Sequence, residues 1–123
     1  MKYIHYFVLL FVVLAIGCAP GAKQKAATDM ELANLGFEAL SQGKYGDAES
    51  YLDKALAANP NNPYALLNLG VICQNTKRFK KARRLYEKVI QLNPTVIVDR
   101  SNEPGKAGKT LVDLARENLQ RLP

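Results

Sequence analysis

The chain has 123 residues, 48% of them hydrophobic and 23% charged, which sets one small domain as the upper limit. Its net charge of +6 is uneven: residues 29–62 carry six acidic and two basic side chains, whereas residues 63–96 carry seven basic and one acidic. One histidine and two cysteines far apart in the chain exclude a disulfide framework and give no metal-site pattern.

The N-terminal residues are typical of an export signal. Residues 6–16 are eleven consecutive apolar or aromatic residues that follow the positive charges of Lys2 and the α-amino group. A membrane-spanning helix needs about 20 apolar residues, whereas a basic start, a short apolar run and a small-residue boundary are typical of a secretory signal peptide. The pattern predicts a signal peptide over residues 1–17. The alternative is an uncleaved anchor, extended by Tyr3 and Ile4.

Residues 14–18, Leu-Ala-Ile-Gly-Cys, resemble the lipobox of bacterial lipoproteins, in which a signal peptidase cuts before a lipid-modified cysteine. The favoured leucine stands one place further from the cysteine than usual, and Ala15 occupies its position, so an ordinary signal peptide without a lipid is the alternative. The resemblance implies a covalent lipid on Cys18, no other cofactor, and attachment to a bacterial membrane, since several acyl chains give stable anchoring. Ala19, where the family's inner-membrane members have aspartate, favours the outer membrane. Residues 18–28, small and basic after the cysteine, then form a flexible tether.

Residues 29–62 and 63–96 align without a gap at a period of 34. Identical residues in the alignment are Leu32/Leu66, Asn34/Asn68, Leu35/Leu69, Gly36/Gly70, Ala48/Ala82, Lys54/Lys88, Asn59/Asn93 and Pro60/Pro94. A period of this length indicates a repeat architecture, in which each unit buries its apolar face against the next.

Both segments resemble the tetratricopeptide repeat, a helix-turn-helix unit of 34 residues. The motif residues are Leu32, Leu35, Gly36, Ala39, Ala48, Leu52 and Pro60 in the first unit, and Leu66, Leu69, Gly70, Cys73, Ala82, Tyr86 and Pro94 in the second. The resemblance implies an all-α fold. Two units within residues 29–94 (29–62 and 63–96) form a short right-handed solenoid, and residues 95–123 form a loop and a C-terminal capping helix.

Apolar spacing of three and four predicts the helices individually, near residues 29–42, 45–58, 63–75 and 79–92. Gly36 and Gly70 lie inside helices, where glycine costs about 1 kcal/mol relative to alanine, so we expect a neighbouring helix to approach closely there. Residues 110–122 have an apolar stripe, which predicts the capping helix. We expect residues 96–98, Val-Ile-Val, to tuck under the last repeat and residues 101–108 to form a loop.

The first helix of each unit lines the concave face of tetratricopeptide arrays, so the resemblance places a partner groove there. The predicted groove residues are Met30, Ala33, Phe37, Leu40, Tyr64, Leu67, Val71 and Gln74. Family members that grip a C-terminal carboxylate use lysines and asparagines on this face. Here Ala33 and Leu67 stand where such a clamp needs lysine. The apolar groove either receives a partner helix or strand or is filled by the chain's own C-terminal helix.

The second unit carries a dense run of cations. The predicted basic patch consists of Lys77, Arg78, Lys80, Lys81, Arg83, Arg84 and Lys88. Such a patch binds phosphates or anionic lipid headgroups, or is simply the solvated convex side of the array. Export disfavours nucleic acid and favours a membrane or an acidic protein surface. The acidic first unit beside the basic second also allows a homo-oligomer built by head-to-tail association.

Catalytic residue types are scarce. His5, the sole histidine, lies in the predicted signal peptide, and Cys73 falls on the helix face that the repeat family buries. We therefore predict no enzyme and no metal site, but a lipid-anchored scaffold or assembly factor that binds protein partners in the bacterial cell envelope. The alternatives are a peripheral protein that binds anionic lipid through the basic helix, and a self-assembling scaffold.

Overall fold

A computed structural model of the chain describes residues 26–98, 105 and 108–123. The predicted signal peptide, Cys18 and most of the predicted tether and 101–108 loop lie outside the described residues. The helices are α1 (Asp29–Ser41), α2 (Tyr45–Ala58), α3 (Pro63–Asn75), α4 (Phe79–Leu92) and α5 (Leu111–Gln120). The predicted all-α architecture is confirmed, and every helix begins and ends within two residues of its predicted bounds.

Three of the five helices begin with side-chain caps that the sequence supplies. Thr28 and Glu31 form a capping box at α1: the Glu31 N–H donates to Thr28 Oγ1 at 3.2 Å, and the Thr28 N–H donates to Glu31 Oε2 at 2.7 Å. Thr110 and Asp113 repeat this arrangement at α5. Pro63 is the first residue of α3, where its missing N–H costs nothing. These caps place the helix starts where the sequence pattern puts them.

Glycine allows the two helices of each unit to pack closely. A Cβ atom added at Gly36 would lie 2.6 Å from Leu52 Cδ2, and one added at Gly70 would lie 2.5 Å from Tyr86 Cε1. Real Cβ atoms do not approach side-chain carbons so closely, so α1 rests on α2, and α3 on α4, only because these positions have no side chain. The close approach predicted at both glycines is confirmed.

Helix α3 is the centre of the molecule, since it contacts each of the other four helices. Helix α5 packs on α4 and, over a smaller area, on α3, and it makes no contact with α1 or α2. It therefore occupies the place that the first helix of a further unit would take. Within the described residues, α5 thus meets the α3 side of the predicted groove and makes no contact with the α1 side.

The expectation for residues 96–98 is wrong in part. Ile97 is 61% exposed and Val96 is also exposed, so only Val98 packs against the core. The cause is backbone pairing with the stretch before α5: the Val98 N–H donates to the Lys109 carbonyl at 2.8 Å, and the Leu111 N–H donates to the Val96 carbonyl at 3.2 Å. This short antiparallel bridge fixes the segment in an extended form that turns Ile97 outward.

Candidate functional site: a concave apolar surface and a basic helix

The predicted groove residues separate into surface and core. Met30 is exposed, and five others are half-buried: Phe37, Leu40, Tyr64, Val71 and Gln74. Ala33 and Leu67 are only 1% and 6% exposed, and both belong to the hydrophobic core. These two residues therefore pack in the core beneath the concave surface, and in this conformation they cannot contact a partner.

Lysine and arginine are absent from both helices of the concave surface. Helix α3 carries no charged side chain at all, and the charges of α1 are the carboxylates of Asp29, Glu31 and Glu38. A carboxylate clamp requires cationic donors at fixed places, and these helices offer none. Gln74 is already engaged, because its Oε1 accepts a hydrogen bond of 2.8 Å from the hydroxyl of the fully buried Tyr86. The surface suits apolar and uncharged groups.

A polar junction sets the position of α1 against α3. Asp29 Oδ2 accepts hydrogen bonds from the side-chain amides of Asn59, at 2.9 Å, and Asn62, at 2.8 Å. Asn62 is 1% exposed, and its Oδ1 also accepts from the Ala65 N–H at 2.9 Å, so its buried amide is satisfied. The two asparagine amides hold the pKa of Asp29 below its ordinary value. Sequence reasoning missed this junction, because the second unit has no counterpart of Asp29.

Part of the predicted basic patch is structural. Arg78 forms a two-pronged ion pair with Glu49 of α2, with Nη1 to Oε1 at 2.7 Å and Nη2 to Oε2 at 2.9 Å, and Lys81 Nζ lies 3.7 Å from the same carboxylate. The pair lowers the pKa of Glu49 and raises that of Arg78, since each partner stabilises the other's charge. Lys88 Nζ donates to the Pro60 carbonyl at 2.9 Å. These cations tie α4 to the first unit.

The remaining cations of the patch face solvent around the start of α4. Lys77, Lys80 and Arg84 are exposed and form no ion pair with any described carboxylate. Arg83 is also exposed, and its guanidinium donates only to the Pro123 carbonyl, at 3.5 Å. The seven-residue patch therefore divides into three bound cations and four that are available to a partner.

Other functional chemistry finds little support among the described residues. They contain no group of three or more histidine, cysteine or acidic side chains placed to hold a metal ion. Cys73 is fully buried, and burial raises the pKa of its thiol, which disfavours the nucleophilic thiolate. None of the five helices has the length and apolar character that crossing a bilayer requires.

Stacked helix-turn-helix pairs joined through glycine contacts define a helical repeat protein. Residues 39–96 match the family described as "Tetratricopeptide repeat". The matched residues therefore carry the tetratricopeptide repeat pattern, in agreement with the resemblance of residues 29–96. Repeats of this family generally mediate binding to protein partners.

Two known proteins are similar to part of this chain, over 59 and 55 residues. The "Uncharacterized protein ycf37" of Pyropia yezoensis is 42% identical over 59 residues, which are 48% of this chain and 33% of that protein. "Protein O-mannosyl-transferase TMTC2" of Homo sapiens is 42% identical over 55 residues, 45% of this chain and 7% of that protein. The chain thus spans a third or less of these curated relatives. No solved structure matches it.

Proposed function

We propose that this protein is a lipid-anchored scaffold of the bacterial cell envelope that holds an apolar, uncharged segment of a partner protein on the concave surface of α1 and α3. The observation that carries the proposal is the composition of that surface. It has no lysine or arginine, and it presents Met30, Phe37, Tyr64 and Val71 at least partly to solvent. A partner segment gains about 25 cal/mol for each Å² of apolar surface that it buries there.

The position of α5 supports an open surface. Because α5 contacts α4 and α3 but not α1, a partner can reach Phe37 and Met30 without displacing any described helix. Asn34 is exposed and Asn68 half-buried on the same helices, so their amides can bond to the backbone of an extended or helical segment. The proposed role is binding, and no reaction is assigned to the protein.

The anchor in this proposal is the lipid on Cys18, which the lipobox-like residues 14–18 favour. Only nine residues separate Cys18 from Thr28, the N-cap of α1, so the scaffold stays close to the membrane that holds it. Ala19 after the cysteine favours the outer membrane. A Cys18→Ser variant should lose lipid labelling and leave the membrane fraction at high salt, and a variant that stayed fully bound would contradict the anchor.

Photocrosslinking in intact bacterial cells tests the concave surface. A benzophenone amino acid at Phe37 should crosslink to a partner protein, whereas the same group at Tyr51, a half-buried aromatic residue of α2, should not. Adding Val71→Glu should abolish the Phe37 crosslink, because a carboxylate on the apolar surface must be desolvated when the partner binds. Equal crosslinking from both positions, or crosslinks from Phe37 only to this chain's own residues 107–123, would contradict the proposal.

A further inference from the structure

The helix ends lie along two opposite edges of the molecule. Hydrogen bonds between helix ends show which ends share an edge. At the junction edge, the start of α1 meets the start of α3, where Asp29 bonds to Asn62. At the turn edge, the start of α2 meets the end of α3, where the Asn75 side-chain amide donates to Tyr45 Oη at 3.1 Å. The start of α4 lies at the turn edge as well, since its N-cap Arg78 bonds to Glu49 in the first turns of α2.

Charge is segregated between these edges. The carboxylates in the first turns of α1 and α5, Asp29, Glu31 and Asp113, all stand away from the turn edge. The turn edge instead collects exposed cations, namely Lys44, Lys77, Lys80, Arg83, Arg84 and, just beyond α5, Arg121. Among described residues, its carboxylates are Asp47 and Glu49 in the first two turns of α2, and Glu38 and Glu117 in the last turns of α1 and α5. Glu49 is already paired with Arg78 and Lys81, and Glu117 with Lys109, so the exposed cations outnumber the carboxylates. The turn edge is therefore strongly cationic.

Helix stability does not explain this placement. Helix α4 begins with no side-chain cap and no acidic residue in its first turn, and it carries Lys80 and Lys81 there instead. Cations near a helix N-terminus oppose the macrodipole, at a cost of typically 0.3–1 kcal/mol each at an exposed site. Lys77 adds a positive φ of 62°, a backbone conformation that glycine tolerates better than lysine. The cations are retained at a cost to folding, which points to a ligand for them.

The shape of the edge favours a broad anionic surface over a single anion. Lys80, Arg83 and Arg84 follow the spacing of three and four, so they share one outward face of α4. All three side chains are exposed, and only Arg83 makes a described contact beyond α4, with the Pro123 carbonyl. A bilayer of anionic phospholipids presents many phosphates in one plane and can meet all of these cations together.

The segment between Cys18 and α1 is long enough for the turn edge to reach the membrane that holds the anchor. The ten residue-to-residue steps from Cys18 to Thr28 span at most about 35 Å when extended, which exceeds the length of about 20 Å of a thirteen-residue helix such as α1. The turn edge can therefore reach the headgroups although α1 begins at the opposite edge. Each cation near an anionic surface contributes about 1 kcal/mol, and tethering removes most of the cost of finding that surface.

We propose that the turn edge docks onto the anionic phospholipid headgroups of the membrane that anchors the chain, through Lys77, Lys80, Arg83 and Arg84. Docking stands the helices across the membrane plane, with the junction edge and its carboxylates pointing away from the headgroups. The concave surface of α1 and α3 then opens sideways along the membrane. This inference rests on the anchoring part of the proposed function.

Tryptophan fluorescence in vesicles tests the orientation, because the chain has no tryptophan of its own. Tyr45→Trp places a reporter at the turn edge, and Tyr64→Trp places a matched reporter in the first turn of α3 at the junction edge. The full chain is reconstituted into phosphatidylcholine vesicles, or into equal parts of phosphatidylcholine and phosphatidylglycerol, with a nitroxide on part of the headgroups. Anionic lipid should increase quenching of the Tyr45→Trp reporter and leave the Tyr64→Trp reporter unchanged.

Charge variants and salt complete the test. The pair Lys80→Glu and Arg84→Glu should abolish the added quenching, as should high salt, which screens exposed charges. The pair Lys54→Glu and Arg116→Glu changes the net charge equally at exposed sites on α2 and α5 and should leave the quenching intact. Equal quenching of both reporters, or quenching that survives the first pair or high salt, would overturn the inference. So would an oligomer that the first pair dissociates while quenching persists, because the edge would then be a contact between copies.

A separate experiment measures whether the N-terminal anchor attaches the chain to membranes. Co-sedimentation of the full chain with pure phosphatidylcholine vesicles reports the N-terminal attachment alone, since these vesicles carry no net charge. A Cys18→Ser chain that sediments as well as the parent, or a parent that does not sediment, contradicts the anchor in the proposed function. The quenching difference between Tyr45→Trp and Tyr64→Trp still decides whether the turn edge docks.

Discussion

Leu35 and Leu69 hold the same position in the two repeats, yet Leu35 is 45% exposed and Leu69 is 2% exposed. The difference lies in their neighbours. Helix α2 packs against α3 and covers the face that holds Leu69, whereas no described helix covers the corresponding face of α1. The repeat motif therefore builds each helix pair, but the environment of a motif residue depends on whether another unit stands beside it.

The residues around these leucines reflect the same difference. Ala65 and Ile72 flank Leu69 on the face of α3 and are fully buried, while the aligned residues of α1 are the exposed Glu31 and Glu38. Glutamate is favoured where a helix face meets water, and it is costly where a face is buried. The first unit thus has the polar outer face of an end unit, and the second unit has the apolar face of an interior one.

Truncating the two leucines should give the largest contrast between the units. Leu69→Ala should lower the free energy of unfolding by about 3 kcal/mol, because it removes buried methyl groups and leaves a cavity in the core. Leu35→Ala should lower it by less than about 1 kcal/mol, since much of that side chain is already hydrated. Urea unfolding followed by helical circular dichroism measures both. Equal losses would mean that something covers α1 in the intact protein.

The turns inside the two units should differ by a smaller amount. Gly43 and Lys77 are aligned and both have a positive φ, 72° and 62°. A non-glycine residue costs about 1 kcal/mol in this conformation, and a Cβ at Gly43 meets no atom within 4 Å. Gly43→Lys should therefore destabilise by about 1 kcal/mol, while Lys77→Gly should stabilise by about 0.5 kcal/mol, after the added freedom of the unfolded chain. Thermal melting of both variants checks the opposite signs, and two shifts of the same sign would exclude strain as the cause.

The ion pair that joins the units should have the smallest effect, with a defined pH dependence. The folded pKa of Glu49 lies below its ordinary value of 4.5, so its contribution is complete above about pH 4.5 and is lost as the pH falls through the lowered pKa. Glu49→Gln should cost less than about 1 kcal/mol at neutral pH, because the pair is partly exposed. The gap between variant and parent should close in acid, and Asp53→Asn, at an exposed site of the same helix, is the matched control for removal of a carboxylate. A gap that persisted at low pH would contradict the role of the charge.

Helix bounds were predictable because several independent signals coincide. Pro63 starts α3, Gly36 and Gly70 report close helix contacts, and the 34-residue alignment transfers each signal from one unit to the other. The contrast between Leu35 and Leu69 could not be predicted in this way, because the alignment gives both the same identity and hides their neighbours. The helices that the two units share are thus easier to predict than the burial of equivalent residues in each unit.

The candidate site was predictable only in outline. The family resemblance placed the surface on α1 and α3, but it did not reveal that Ala33 and Leu67 are covered, because burial depends on how two helices meet. The count of cations located the basic patch, but it could not distinguish Arg78, which Glu49 holds from another helix, from Lys80, which has no described partner. The pairing of Val98 with Lys109 joins residues with no shared period, so no repeat signal announces it.

The Asp29 junction also limits how the array can grow. Pro63 stands in the second unit where Asp29 stands in the first, and Val96 stands where Asn62 does, so the second unit keeps only Asn93, the counterpart of Asn59, and lacks the carboxylate acceptor. A tandem copy of residues 63–96 would thus lack the hydrogen bonds to Asp29 that position one unit against the next. A copy of residues 29–62 would bring its own. We therefore expect duplication of residues 29–62 to lengthen this solenoid more readily than duplication of residues 63–96.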